Sequence, residues 1–210
     1  AKFHRTRFET LLENIFQVTE QYHARFTFPI VASTALRNQA LISEIFRSPH
    51  EIASHGFKHV NYRYLSERQQ AMDIKRSILA FKSMNVPIHG FRAPYNAYTE
   101  HTPRLLERHH FLWDGGIGHN PIYWERRHFF RIRVDKGESK FICVPLCKWS
   151  DDGMIDTYGL NNWQMVKILK NAARMAAKDH GAIMFDLHPI RIGQPKYIDV
   201  LGCLLYTSDA

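Results

Sequence analysis

No stretch of the 210 residues is long and apolar enough to form a membrane-spanning helix. The longest apolar runs, Phe141-Ile-Cys-Val-Pro-Leu-Cys147 and Ala182-Ile-Met-Phe185, fall far short of the roughly 18 residues a span requires. A second scarcity is cysteine. Three residues (Cys143, Cys147, Cys203) are an odd number without zinc-ribbon spacing, which argues against both a disulfide framework and a structural zinc knot. Cys143 and Cys147, four apart in an expected strand, read as two buried thiols. Sustained basic runs are also missing. The net charge of +8 comes from scattered Lys and Arg, so nucleic acid is not the expected partner, although an acidic polymer could be attracted. Ala1-Lys-Phe-His-Arg-Thr-Arg is polar and basic rather than leader-like, and the compartment, cytoplasmic or extracytoplasmic, stays open. What the chain does have in unusual supply is histidine, 13 residues.

Composition is otherwise that of a globular domain, 45% hydrophobic and 23% charged, with no stretch that reads as a linker. Phe8, Leu11, Leu12, Ile15 and Phe16 recur at helical spacing, predicting a helix over 6–22. Phe26 to Ala32 reads as a buried strand. A helix over 35–47 would turn Leu36, Ala40, Leu41 and Ile45 inward, and Glu51 to His55 ends a short strand. Ser66 with Gln69 forms a capping-box pattern ahead of a helix to about residue 83, with Met72, Ile78 and Phe81 facing in. Ile88 to Arg92 is a further strand, Thr102-Pro103 opens a helix, and Phe111 to Asp114 is a strand. Strands over 129–134 and 140–146 follow. Asn162 would cap a helix reaching 180, with Gly181 at its C-terminal glycine position. Ala182 to Leu187 is the last strand. Alternation of strand and helix with short connections predicts one α/β domain around a parallel sheet, open or closed into a barrel.

Functional residues in such sheets gather at the C-terminal strand ends. His55 and His59, Arg92 to Tyr95, Asp114 and His188 fall there. A His-x3-His pair can grip a metal such as zinc, although by spacing alone an accidental pair is the commoner explanation in a His-rich chain. Arg92 can hold a carboxylate in a fork, or be an ordinary turn arginine. Pro94 fixes the chain and exposes the Tyr95 N–H. His188 follows a buried strand and could equally be a satisfied strand-end histidine.

Their order is more specific than any one of them. His55-x3-His59, then Arg92-x-Pro-Tyr95, then Leu187-His-Pro189 resembles the polysaccharide deacetylase family (the NodB homology domain of family 4 carbohydrate esterases), over about residues 5–200. The resemblance implies a distorted (β/α) barrel, a TIM-barrel-like α/β fold. It implies a divalent metal, usually Zn2+, and hydrolytic removal of N-acetyl (or O-acetyl) groups from a polysaccharide or N-acetylated sugar. His55 and His59 match the metal-binding histidines, and Arg92 the arginine that orients the catalytic base. Tyr95 matches the residue whose N–H stabilises the oxyanion. His188 matches the general acid, Leu187 the apolar border of the acetyl pocket, and Pro94 the same substrate-facing turn. A carboxylate should keep His188 protonated. Asp114 is the candidate, with Asp151 and Asp152 as alternatives that would otherwise form a solvated acidic loop.

One element departs from the family pattern. Its first strand ends in two aspartates, the base and the third metal ligand, whereas only Ala1 to Arg5, without an acidic residue, precede the first helix here. The expectation is a deacetylase domain over 1–202 whose first strand is missing, inactive as it stands, with a non-native tail at 203–210. The alternative is a catalytically dead carbohydrate-binding domain of the same fold.

Overall fold

The structure is a computed structural model and describes residues 8–206. It resolves into two compact units: residues 26–146, and the segments up to Arg25 and from Cys147 onward. The expected helical residues Thr6 and Arg7, the segment Ala1 to Arg5 and the tail residues 207–210 lie outside the described residues.

In chain order α1 is Phe8–Gln21, the first element of the discontinuous unit. The continuous unit follows: β1 (Thr27–Ile30), α2 (Ala32–Arg37), α3 (Gln39–Arg47), β2 (Glu51–Ser54), α4 (Glu67–Ser83), β3 (Gly90–Phe91), α5 (Thr102–Arg108), β4 (Trp113–Asp114), β5 (Arg133–Val134), β6 (Gly137–Glu138) and β7 (Ile142–Cys143). Its main sheet runs β1-β2-β3-β4-β7, every pair parallel. The strands of this sheet follow one another in chain order, with the β5–β6 hairpin lying outside it, which is the winding of a barrel wall rather than of a doubly wound sheet whose order reverses. Beneath it lies a core of Tyr62, Ile74, Phe91, Leu105, Leu106, Phe111, Ile117 and Phe141.

The strand ends are in register. Ile30 pairs with Ser54, Ser54 with Phe91, Phe91 with Asp114, and Asp114 with Cys143, one row across five strands. The next residue of each strand donates its N–H to the neighbour's last carbonyl: His55 to Ile30, Arg92 to Ser54, Gly115 to Phe91 and Val144 to Asp114. The opposite edge is stapled by side chains. Glu51 accepts from Thr27 Oγ1 at 2.8 Å and from the Trp113 indole N–H at 3.1 Å. The indole reaches across β3, and a Cβ on Gly90 would lie 1.9 Å from it.

The discontinuous unit continues with β8 (Leu146–Ser150), α6 (Asn162–Lys178), β9 (Met184–Asp186), α7 (Pro189–Ile192) and α8 (Ile198–Leu205). β8 pairs with β9, α1 packs on α7 and α8, and α6 packs on α8. Leu12, Ile15, Met165, Leu169 and Val200 are fully buried or nearly so.

Several expectations need correction. The helix over 35–47 is two helices, broken at Asn38 (φ −131°, ψ 48°), whose side chain donates to Thr34 O and so competes with the helical ladder. Its buried residues are Ala32, Ala35, Ile42 and Ile45, whereas Leu36 and Ala40 are exposed. Met72 is 54% exposed; Gln70, Asp73, Ile74, Ser77, Ala80 and Phe81 are the buried residues of α4. The strand over 140–146 is interrupted at Pro145, which has no N–H for a ladder. Cys143 and Cys147 therefore belong to different sheets, although both are buried as expected. In 129–134, only Arg133–Val134 forms a strand, paired with Gly137–Glu138, and Phe130 bridges Cys143. Asn161 rather than Asn162 caps α6, in a capping box with Gln164.

Three of the histidines have a structural explanation. His23, His110 and His180 take left-handed φ of 50°, 59° and 52° just past helices α1, α5 and α6. At α6, His180 N–H donates to Ala177 O and Gly181 N–H to Ala176 O; α1 and α5 repeat the pattern. These are Schellman ends in which histidine occupies the place glycine usually takes, one residue before Gly181 at α6. Gly90→Ala should destabilise the protein by about 3 kcal/mol in denaturant titration, because backbone or indole must move. Gly137→Ala, with nothing within 4 Å of the new methyl, serves as the control and should be near neutral.

Candidate functional site

β2 delivers His55 directly past the register row. Its Nδ1 lies 2.7 Å from Arg92 O, and a carbonyl can only accept, so Nδ1 carries the proton. A neutral His55 ring then has its lone pair on Nε2, the tautomer a metal ligand needs. The His59 ring is 5.1 Å from that of His55, and Tyr95 packs edge-on to His59 at 4.6 Å. His59 is not in a helical turn but on an exposed loop.

That loop is held by a residue the sequence reading missed. Asp73, on the buried face of α4, accepts from Phe57 N–H (2.8 Å), Lys58 N–H (3.1 Å) and Tyr62 hydroxyl (2.8 Å). Burial with the acid pushes the Tyr62 phenol far up, so it stays a donor. Gly56, at φ 74°, lets the chain turn tightly here; a Cβ would sit 2.7 Å from the Asp73 carboxylate. A carboxylate within the buried stripe Asp73, Ile74, Ser77 and Phe81 was the available signal, since a buried charge must find donors.

Arg92 is buried, and its Nε donates to Asn96 Oδ1 at 2.9 Å. Pro94 is buried and starts a turn in which Tyr95 (φ 60°) and Asn96 (φ 50°) are both left-handed. Two such non-glycine residues in succession cost conformational energy that the surroundings must offset, a pattern that clusters at functional turns. Asp114 ends β4 and accepts from Gly116 N–H (2.9 Å) and Ile117 N–H (2.6 Å). Full burial pushes its pKa up to about 6, against the pull of those two N–H groups and of Arg92.

In the discontinuous unit, His188 follows β9, preceded by the half-buried Leu187. Its carboxylate partner is Asp151, at the end of β8, and not Asp114, whose oxygen is spent on its own turn. Asp151 Oδ1 lies 2.6 Å from His188 Nδ1, and Oδ2 accepts the His188 N–H at 2.7 Å. Asp151 is fully buried, so 151–152 is not the solvated loop expected. The Asp151 hydrogen bond raises the His188 pKa above 6.5; burial opposes it, and the charges of Asp151, Asp186 and Asp152 add to it. Donor atoms of Asp151, Asp152 and His188 all lie within 4.8 Å of one another, a grouping that could hold a cation. Because both Asp151 oxygens already accept from His188, and Oδ1 also accepts from the Asp152 N–H at 2.9 Å, the geometry suits a proton donor better.

The sequence profile of the polysaccharide deacetylase family matches residues 6–111, half of the chain. The chain belongs to the polysaccharide deacetylase family. No curated protein matches it. Among solved structures it is similar to a Mycobacterium smegmatis protein assigned as a polysaccharide deacetylase, with TM-score 0.82 and 22% identity over 97% of this chain and 72% of that one. A Pseudomonas aeruginosa PAO1 protein assigned likewise gives 0.79 and 20% over 95% and 66%. A PuuE allantoinase gives 0.79 and 19%, again over 95% and 66%. At these identities the likeness establishes the fold, the α/β deacetylase type expected from the motif order.

Two outcomes follow from this geometry. Asp73→Ala orphans a phenol and two N–H groups and should cost about 2–4 kcal/mol, with Asp73→Asn recovering part of it; chemical denaturation reads both. Because the folded pKa of His188 is raised, the stabilisation from its pair is complete below pH 6.5 and is lost as pH climbs through the raised value. In Asp151→Asn the imidazole NMR titration midpoint should fall. An unmoved midpoint would remove Asp151 as the cause.

Proposed function

We propose that the chain is the body of a metal-dependent amidohydrolase that removes acetyl groups from an N-acetylated glycan, and that residues 1–202 act as one deacetylase domain. The observation that carries this reading is the Asp151–His188 pair. A buried carboxylate that fixes the ring and holds its proton near neutral pH makes His188 suited to protonate a departing amine.

The remaining roles rest on the motif match and on the local geometry. His55 and His59 would hold the cation, and the fixed His55 tautomer fits nitrogen donation to Zn2+. Such an ion, when bound, supplies Lewis acidity toward the amide oxygen and the attacking water. The N–H of Tyr95, in its left-handed turn, would donate to the developing oxyanion. Arg92, buried and braced by Asn96, would orient a carboxylate base, and Leu187 would border the acetyl methyl. Asp114 has a different part: it fixes the turn after β4.

Two nitrogen ligands and no acidic residue in Ala1 to Arg5 lead us to expect that these 210 residues bind Zn2+ weakly and turn over substrate at background. His55→Ala should abolish the residual zinc uptake in equilibrium dialysis with elemental analysis, and His188→Ala should leave it unchanged. Robust deacetylation of chito-oligosaccharides by the 210-residue chain would sink the expectation of inactivity. Zinc uptake untouched by His55→Ala would remove the metal assignment. Glycan binding without turnover, even when an Asp-Asp strand is supplied at the N-terminus, would favour a binding domain instead. Allantoin belongs in the same assay because an allantoinase shares the fold.

A further inference from the structure

The discontinuous unit contains an open cavity of about 550 Å³ at the start of α6, lined by Asn161, Asn162, Trp163, Lys196 and Tyr197 among others. Trp163 is 69% exposed, which is unusual for the largest apolar side chain, and the Lys167 ammonium lies against its ring at 5.1 Å. Lys196 rests over Tyr197 at 4.9 Å, and no carboxylate lines the cavity. The walls are rigidly supported. Asn161 and Gln164 close a capping box, Asn162 Nδ2 donates to Lys196 O at 2.7 Å, and Leu160 N–H is tied to Met154 O at 2.9 Å. Along the chain this surface is continuous with an aromatic pair, Trp149 and the exposed Tyr158, with ring centroids 5.4 Å apart. Trp149 stands two residues before Asp151.

We infer that this cavity is a glycan subsite that takes a sugar carrying a carboxylate, with Trp163 as the stacking platform and Lys196 as the charge partner. The choice of a glycan rests on the deacetylase reading above. A pyranose presents an apolar C–H face that an exposed indole can cover, and its hydroxyl edge needs short, fixed polar groups such as the two asparagines. A lysine ammonium in a lining that holds no carboxylate adds selectivity for an anionic sugar. A nucleic acid would instead call for a continuous basic groove, and the Lys and Arg of this chain are scattered.

The probes are two tetrasaccharides that both carry N-acetyl groups: the peptidoglycan repeat GlcNAc-MurNAc-GlcNAc-MurNAc, with lactyl carboxylates, and neutral chitotetraose. Binding to the 210-residue chain is followed by tryptophan fluorescence and NMR at low ionic strength, where charge contacts are least screened. The acidic tetrasaccharide should bind more tightly. Trp163→Ala should weaken it about tenfold, and Lys196→Gln should remove its advantage over chitotetraose. Equal affinity for the two, undiminished binding by Trp163→Ala, or Trp163-dependent preference for a single-stranded oligonucleotide would each overturn the subsite. Binding is read without turnover, so catalytic failure of the chain leaves this result standing, and a silent cavity leaves the His188 assignment standing.

Discussion

The level row of strand ends is the constraint on which the continuous unit depends. Five parallel strands stop at Ile30, Ser54, Phe91, Asp114 and Cys143, paired residue to residue. Each strand after the first then hands its next N–H to the preceding strand's last carbonyl. A slip of one residue in such a ladder would turn every side chain of the strand to the opposite face. His55 and Arg92 therefore emerge side by side because the register leaves them no other place. The contact from the His55 ring to Arg92 O is a consequence of that adjacency, and it in turn selects the ring's tautomer.

The two ends of this sheet divide the labour. At the entering edge, Thr27, Glu51 and the Trp113 indole tie three strands together over Gly90, with no chemistry left to do. At the leaving edge, polar groups are held by donors and acceptors that restrict their motion: Asp73 grips the loop between the histidines, Asn96 braces Arg92, and Asp114 fixes its own turn. The same economy recurs in the other unit. Asp151 spends both oxygens on His188, one on its ring and one on its backbone N–H. Buried carboxylates thus act in both units as fixed acceptors that position something else, the use that best offsets the cost of burying charge.

Family and fold class were legible in the sequence, because the motif order and the strand–helix alternation that carry them depend on local pattern. A histidine pair after a strand, a Pro-turn after an arginine and a His-Pro after a buried strand each carry their signal within a few residues. So do the capping box at Ser66 and the asparagine cap of α6, the latter misplaced by a single residue. Failures of the sequence reading fall where non-local packing outranks propensity. The break at Asn38 arises from a side chain competing for the backbone, and the outward turn of Met72 from α4 burying Asp73 and Ser77 instead.

By itself the sequence placed His55, Arg92 and Asp114 at strand ends, since hydrophobic runs set those strands and short connections set the alternation. Only the tertiary structure decided which group serves which. Asp114 and Asp151 are both acids at strand ends, and nothing in their neighbours in the chain tells them apart. Asp114 meets the N–H groups of its own turn within 2.9 Å, whereas Asp151 meets an imidazole 37 residues away in the chain. Hydrogen bonds decide at distances of about 3 Å, and separations of that size between residues far apart in the chain exist only after folding.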